Sequence, residues 1–261
     1  MPLVQKEIKK VYLGSTQVRP GFIKVAWVYH NPTLWLISIS KDGMNRITIA
    51  DKNLGATTVY NSGDTLSEAN AWKFYQRGNN YWFPFTWATS TSSSQVNARN
   101  YWPANYYLGS SFIKKNNWDS SNNKDLRWGV TWTNEAMKWP CDTWFHVPTN
   151  DELRNLFYMG STSISGSLGI WSDSNPSGYK TYLKMPSAWQ LAYSSGSQSN
   201  VGSRWYYWSS TYYSSNWYAY QLQAYASGYW QNGYQTGIWC SIRPFKNDAV
   251  QPDNTRTVLY Q

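Results

Sequence analysis

The chain of 261 residues is long enough for one large domain and its core, or one domain with a small appendage. Only 14% of its residues are charged and 18% are aromatic, with 22 Tyr and 18 Trp. Such a chain is not disordered; it reads as globular, loop-rich and mostly β or irregular. The net charge of +9 is scattered, densest at Lys6, Lys9 and Lys10 and again at Lys114 and Lys115, so it reads as a solvated basic surface and not as a specific nucleic-acid site.

Taken in chain order, residues 1–22 read as a separate arm. In "EIKKVYLGSTQVRPG", Ile8, Val11 and Leu13 alternate with polar residues before a turn at Gly14-Ser15, which suits a short hairpin attaching the chain to an assembly partner. Residues 1–20 hold no apolar core of the signal-peptide kind. The run "FIKVAWVYHNPTLWLISI" is interrupted by Lys24, His30, Asn31 and Pro32, so it reads as two strands around a turn at 30–33 and not as a membrane span. One continuous domain is expected over 23–247, followed by a polar tail, 248–261, whose strand-like end returns to the N-terminal arm.

Two helices are expected within that domain. "TLSE" at 65–68 is a capping box, with Ala69, Trp72 and Gln76 on one face and Gly78 as the stop. "TNDE" at 149–152 repeats the signature after Pro148, with Leu153, Leu156 and Phe157 as an apolar stripe and Gly160 as the stop. A weaker helix covers 134–138. Two main helices before a β-rich C-terminal third predict an α+β domain.

Catalytic chemistry is thinly represented. No zinc-protease, Walker, dinucleotide-binding or nucleophile-elbow motif occurs. His146, in an apolar setting before Pro148, reads as a packed histidine at a helix start. Asp151-Glu152 is explained by the helix N-terminus. Asp173 and Asn175 suit a turn better than a calcium site. Cys141 and Cys240 read as two buried free thiols, with one disulfide as the alternative in an oxidising setting. No cofactor or metal is expected, and no enzymatic activity.

A binding surface is better supported. From 205 to 235 no residue carries a charge, and Tyr, Trp, Ser, Asn, Gln and Gly dominate. Alternation places Tyr218, Tyr220, Leu222 and Ala224 on one strand face, suited to the core, and Ala219, Gln221, Gln223 and Tyr225 on the other, suited to solvent. Rigid amphipathic rings among small polar residues are the palette of antibody paratopes. The competing reading is an aromatic β core with its rings buried.

Several ordered segments resemble a known family. "PCDTWFHVPTNDELRNLF" is similar to the Pro-Cys-x-x-Gly-x-His/Arg-x-Pro-Thr helix start of the formylglycine-generating-enzyme-like branch of the C-type lectin fold. "YYWSST" and "SIRPFKN" resemble its C-terminal elements; "ITIADKNLGAT" and "FYQRGNNY" fit an earlier strand and first helix. The likeness covers roughly 26–247 and is nearest to the variable proteins of diversity-generating retroelements. It implies a C-type lectin-like fold with two main helices, short twisted β-sheets and long irregular loops, displaying a diversified surface at about 205–240. Mapped here, the displayed positions are Tyr212, Tyr213, Asn216, Trp217, Tyr218, Gln221, Gln223, Tyr225, Tyr229, Trp230, Asn232, Tyr234 and Gln235; Trp208, Ser209, Ser210, Leu222, Ile242, Arg243 and Phe245 match the scaffold. The implied function is non-enzymatic binding of a protein or glycan on a target cell, from a virion or cell surface. The alternatives are a lectin-fold enzyme or cofactor-binding relative, and a structural virion or surface component. At Trp82, Trp139, Trp144, Trp189, Trp205 and Trp239 the family pattern favours Gly; a UGA codon read as glycine in the source organism would account for all six, and UGG codons would refute it.

Overall fold

A computed structural model of the chain describes residues 12–13, 16–17, 24–31, 34–40, 46–71, 73–83, 90–97, 111–120, 128, 140–141, 144–161, 177–200, 202–213, 218–225, 228–247 and 256–260. The expected segment at 134–138, the turn at 173–175, Asn216, Trp217 and Trp139 lie outside these residues, as does Trp72. The strands are β1 (Tyr12–Leu13), β2 (Thr16–Gln17), β3 (Lys24–Asn31), β4 (Leu34–Ser40), β5 (Arg46–Ala50), β6 (Tyr75–Gln76), β7 (Thr91–Ser92), β8 (Phe112–Ile113) and β9 (Phe145–His146). They continue with β10 (Gln190–Leu191), β11 (Gln198–Ser199), β12 (Trp205–Tyr212), β13 (Tyr218–Tyr225), β14 (Gly228–Gln235), β15 (Trp239–Cys240), β16 (Phe245–Lys246) and β17 (Arg256–Tyr260). Helix α1 spans Asn150–Ser161 and the single-turn α2 spans Ser177–Thr181.

This architecture overturns the expected α+β class with two main helices. The described residues are mostly strands in several antiparallel sheets, with one three-turn helix and one short turn of helix. The failure lies at 65–78. Glu68 does not reach back to cap a helix; its carboxylate pairs with Lys73 Nζ. Ser67 and Asn70 exchange side chain–backbone bonds, and Asn70 Nδ2 donates to Thr65 O at 3.0 Å, which makes a turn. Gln76, expected on a helix face, pairs in β6 with Trp239. Gly78, at φ 85°, is not a helix stop: Asn79 N donates to Gln76 O at 2.8 Å across it, so it occupies the glycine position of a type II turn.

The second capping box does form. Glu152 N donates to Thr149 Oγ1 at 3.2 Å, and Thr149 N donates back to Glu152 Oε2 at 2.7 Å. Leu153, Leu156 and Phe157 are fully buried, the expected stripe.

The largest sheet has the order β17-β3-β4-β5-β16-β9. Its β3–β4 hairpin is the strand pair expected around 30–33. The tail strand β17 pairs with β3, Tyr260 opposite Val25, and among the described residues β1 and β2 of the arm pair with each other. Smaller sheets are β11-β10-β15-β6 and β12-β13-β14. Among the described residues no helix is long and apolar enough to cross a membrane.

Two apolar clusters sandwich the β12-β13-β14 sheet. On one face Trp205, Tyr207, Leu222 and Ala224 pack with Leu153, Leu156 and Phe157 of α1 and with Ile37, Ile39 and Ile49. On the other, Tyr206, Trp208 and Ala219 pack with Tyr75, Phe145, Cys240 and Ile242. Aromatic rings replace the scarce aliphatic residues, and three of them bond a backbone carbonyl through their polar atom: Trp208 Nε1 to Tyr75 O at 2.9 Å, Trp205 Nε1 to Met185 O at 2.9 Å, Tyr207 Oη to Pro186 O at 3.0 Å. Burial holds the Tyr207 hydroxyl up at about 12 despite the nearby Arg243.

Candidate functional site

The uncharged aromatic stretch at 205–235 divides along its length. Tyr206, Tyr207 and Trp208 are core residues, as the buried-ring reading expects. Beyond the reach of α1 the same sheet ends in half-buried and exposed side chains. Alternation in β13 is as expected, with Leu222 and Ala224 facing α1 and Ala219 facing the other way. The expectation that the second face meets solvent is wrong for its glutamines. Gln221 is 0% exposed and Gln223 is 6% exposed, because the layer around Trp208, Tyr206 and Cys240 covers them. Gln221 Nε2 donates to Gln190 Oε1 at 3.3 Å and to Cys240 Sγ, and Gln223 Nε2 donates to Gln221 Oε1 at 3.0 Å. These two positions hold sheets together and are not displayed.

The displayed group gathers where β12 and β13 join. Tyr213 N donates to Tyr218 O at 3.0 Å, closing the hairpin, and Tyr213 is 36% exposed. Its ring meets Tyr220 edge-on, with centroids 5.1 Å apart and planes at 74°. Tyr220 pairs across the sheet with Gly233, and a Cβ at 233 would overlap the Tyr213 ring, so only glycine lets that ring lie down on β14. Tyr218 pairs with Gln235, both half-buried; Tyr234 is half-buried and Asn232 exposed. Tyr225, Tyr229 and Trp230 lie on β13 and β14 further along, Ala224 opposite Tyr229 and Gln223 opposite Trp230. Of the expected positions, the structure brings Tyr213, Tyr218 and Gln235 onto one uncharged face, joined by Tyr220, which the alternation assigns to the core; Asn232, opposite the buried Gln221, is exposed on the other face of the sheet.

Tyr212 plays a different part. Its ring lies over the buried Arg77 guanidinium, 4.3 Å from its carbon. No local sequence signal points to Arg77, whose turn with Gly78 appears only in the structure.

The glycine-like positions separate as well. Trp82 and Trp144 are exposed, Trp82 stacked on Tyr81 and capped by Lys73 Nζ at 4.0 Å. Trp189, Trp205 and Trp239 are buried, Trp239 stacked 3.9 Å from Phe83. None of these five has a positive φ, which among the described non-glycine residues occurs at Trp128, Lys184 and Asn200. The backbone therefore makes no conformational demand for glycine there.

His146 is a packed residue. Its ring nitrogens lie 2.7 Å from Asn247 Oδ1 and 2.9 Å from Glu152 Oε1, tying β9, the chain after β16 and the α1 start together. Burial alone would raise the Glu152 carboxyl, but the His146 hydrogen bond and charge and the Thr149 bonds outweigh it and hold it below the ordinary carboxylate range. Between the folded and unfolded values the unfolded chain binds more protons. The stabilisation is therefore complete above the unfolded carboxylate value, about 4.3, and fades as pH falls through the folded one. Urea midpoints measured from pH 6 to pH 3 are expected to fall more steeply for the wild type than for Glu152→Gln; parallel curves would contradict this.

Cys141 and Cys240 are both buried and form no disulfide with each other, and burial pushes the Cys240 thiol well up. No family model, curated protein or solved structure matches the chain.

Proposed function

We propose that the chain is a non-enzymatic binding protein that presents the Tyr213–Tyr220 patch to a protein or glycan on a cell surface, in the manner of the variable proteins of diversity-generating retroelements. The observation that carries this reading is the tyrosine pair itself, Tyr213 exposed and Tyr220 half-buried against it. The sheet that bears it is buried on both faces through most of β12 and β13 and leaves Tyr213, Tyr218 and Tyr220 standing with Gln235 at one end. Tyrosines supply large contact area at little entropic cost, and amides supply adaptable hydrogen bonds. The patch is uncharged although the chain carries a net charge of +9, which favours a partner recognised by shape and hydrogen bonding over one recognised by charge.

A formylglycine-generating type of activity is the weaker reading, because a buried thiol with a raised pKa is a poor nucleophile. The arm belongs to the same proposal. The β1–β2 hairpin joins no other described sheet, which suits an element that docks the chain on a virion or cell-surface assembly.

The direct test uses fluorescent tetramers of the intact chain on whole cells from its own environment, before and after protease or periodate treatment. Saturable binding to at least one cell type is expected. Loss on protease treatment identifies a protein partner and loss on periodate treatment a glycan. An absence of saturable binding across the cell panel contradicts the proposal.

A further inference from the structure

The β12–β13 ladder breaks just before the displayed tyrosines. Trp208 is opposite Gln221 and Tyr212 is opposite Ala219, so four steps on β12 match two on β13, and two extra residues bulge out of β12. A bulge removes backbone groups from the ladder, and buried ones need other partners. Ser210 N donates to Pro148 O at 2.7 Å, and Thr211 N to Ser209 Oγ at 3.3 Å. Ser209 Oγ in turn donates to Tyr220 O at 3.0 Å. The two freed carbonyls, Ser209 O and Ser210 O, both accept from one side chain: Arg77, through Nε at 3.0 Å and through Nη2.

That guanidinium has little freedom to move. It is fully buried between two rings, Tyr212 at 4.3 Å and Trp128 at 5.1 Å from its carbon. Trp128 holds a left-handed backbone, φ 62°, and its indole N–H is fixed on Asn80 Oδ1 at 3.0 Å. The Arg77 backbone sits in the type II turn with Gly78, its N–H on Thr236 O at 3.1 Å and its carbonyl accepting from Trp118 Nε1 at 2.7 Å. Turn, fork and ring sandwich thus pin the bulge from a different sheet. Tyr212 and Tyr213 leave directly from it, and Tyr213 then closes onto Tyr218 and packs on Tyr220.

We infer that Arg77 is the positioning residue of the displayed patch: its guanidinium clamps the Ser209–Ser210 carbonyls and so sets where Tyr213 and Tyr220 stand. The inference rests on the binding role proposed above. A planar fork suits two adjacent carbonyls and two flanking rings; a lysine ammonium offers neither the paired donors nor the stacking plane. A clamped base also leaves the patch pre-ordered for its partner, so less freedom is lost on binding.

Amide hydrogen exchange of the intact chain, read by mass spectrometry with and without low urea, tests this for Arg77→Lys. Exchange over 209–213 and 218–220 is expected to rise at least tenfold with little urea dependence, while α1 and 221–224 keep wild-type protection. Unchanged protection of 209–213 in a folded Arg77→Lys chain overturns the inference. So does a uniform rise that follows global stability, because Arg77 would then be an ordinary core residue. If Arg77→Lys does not fold, Tyr212→Leu carries the same expectation, since it removes one ring of the sandwich and leaves the fork; Tyr212→Phe is expected to keep wild-type exchange. The same variants, as tetramers on whole cells, separate the two levels. A loosened bulge with weakened binding supports both. A loosened bulge with undiminished binding upholds the clamp and contradicts the role given to the patch.

Discussion

Replacing Tyr213 and Tyr220 by Ala lowers the affinity of the chain for its cell-surface partner at least ~30-fold, about 2 kcal/mol, while the fold survives. The two rings form one edge-on unit at the end of the sheet, and neither belongs to the buried clusters around Leu222 or Trp208. Truncating them therefore removes contact area without opening a core cavity. Gln221→Ala should behave in the opposite way. That amide is fully buried and bonds Gln190 and Cys240, so its loss costs about 1–3 kcal/mol of stability with the patch left in place. Tetramer binding on whole cells and urea unfolding, measured on both variants, give a crossed pattern. Unfolding of the tyrosine variant, or weakened binding by a stable Gln221→Ala chain, would show that the division between display and scaffold is drawn in the wrong place.

Arg243→Ala is expected to cost about 3–5 kcal/mol of stability, a large share of the ~5–15 kcal/mol that a domain possesses. Arg243 is fully buried, donating from Nη1 to Ala50 O and from Nη2 to Lys184 O, each at 2.7 Å, beside Asp51 and Tyr207. Burial lowers its pKa, and the neighbouring Tyr207 and Asp51 oppose that shift. Truncation leaves two carbonyls without their donor and the buried Asp51 carboxylate without the guanidinium charge. Asp51→Asn in the Arg243→Ala background should recover part of the loss, since it removes a buried carboxylate whose charge Arg243 helps to offset; additivity of the two substitutions would mean that the pair does not interact. Urea melts of the four chains measure this.

Local signals were legible in the sequence and non-local ones were not. The Thr149–Glu152 box sits before an apolar stripe that finds a core, so the helix forms as read. The Thr65–Glu68 box has the same letters, but Lys73 takes Glu68 and strand pairing takes Gln76, neither of which a local pattern reveals. In β13 the period-two alternation correctly separated Leu222 and Ala224 from Gln221 and Gln223. Whether the glutamine face meets water depends on a second layer that includes Tyr75, Cys240 and Ile242, which belong to other elements. Tyr220, on the same face as Leu222, is half-buried and lies outside the cluster that Leu222 and Ala224 share with α1, which alternation alone does not reveal. Arg77 was invisible because its acceptors are carbonyls of a bulge far later in the chain.

Sequencing the codons for 205–245 in successive populations, together with the neighbouring DNA, tests the central claim most directly. A nearby reverse transcriptase gene and a near-copy of this stretch are expected. Substitutions should collect at adenines in the codons for Tyr213, Tyr218, Tyr220, Asn232 and Gln235, with Trp208, Gln221, Leu222, Gln223 and Arg243 constant. An invariant stretch, or changes spread evenly over buried and exposed positions, would contradict it.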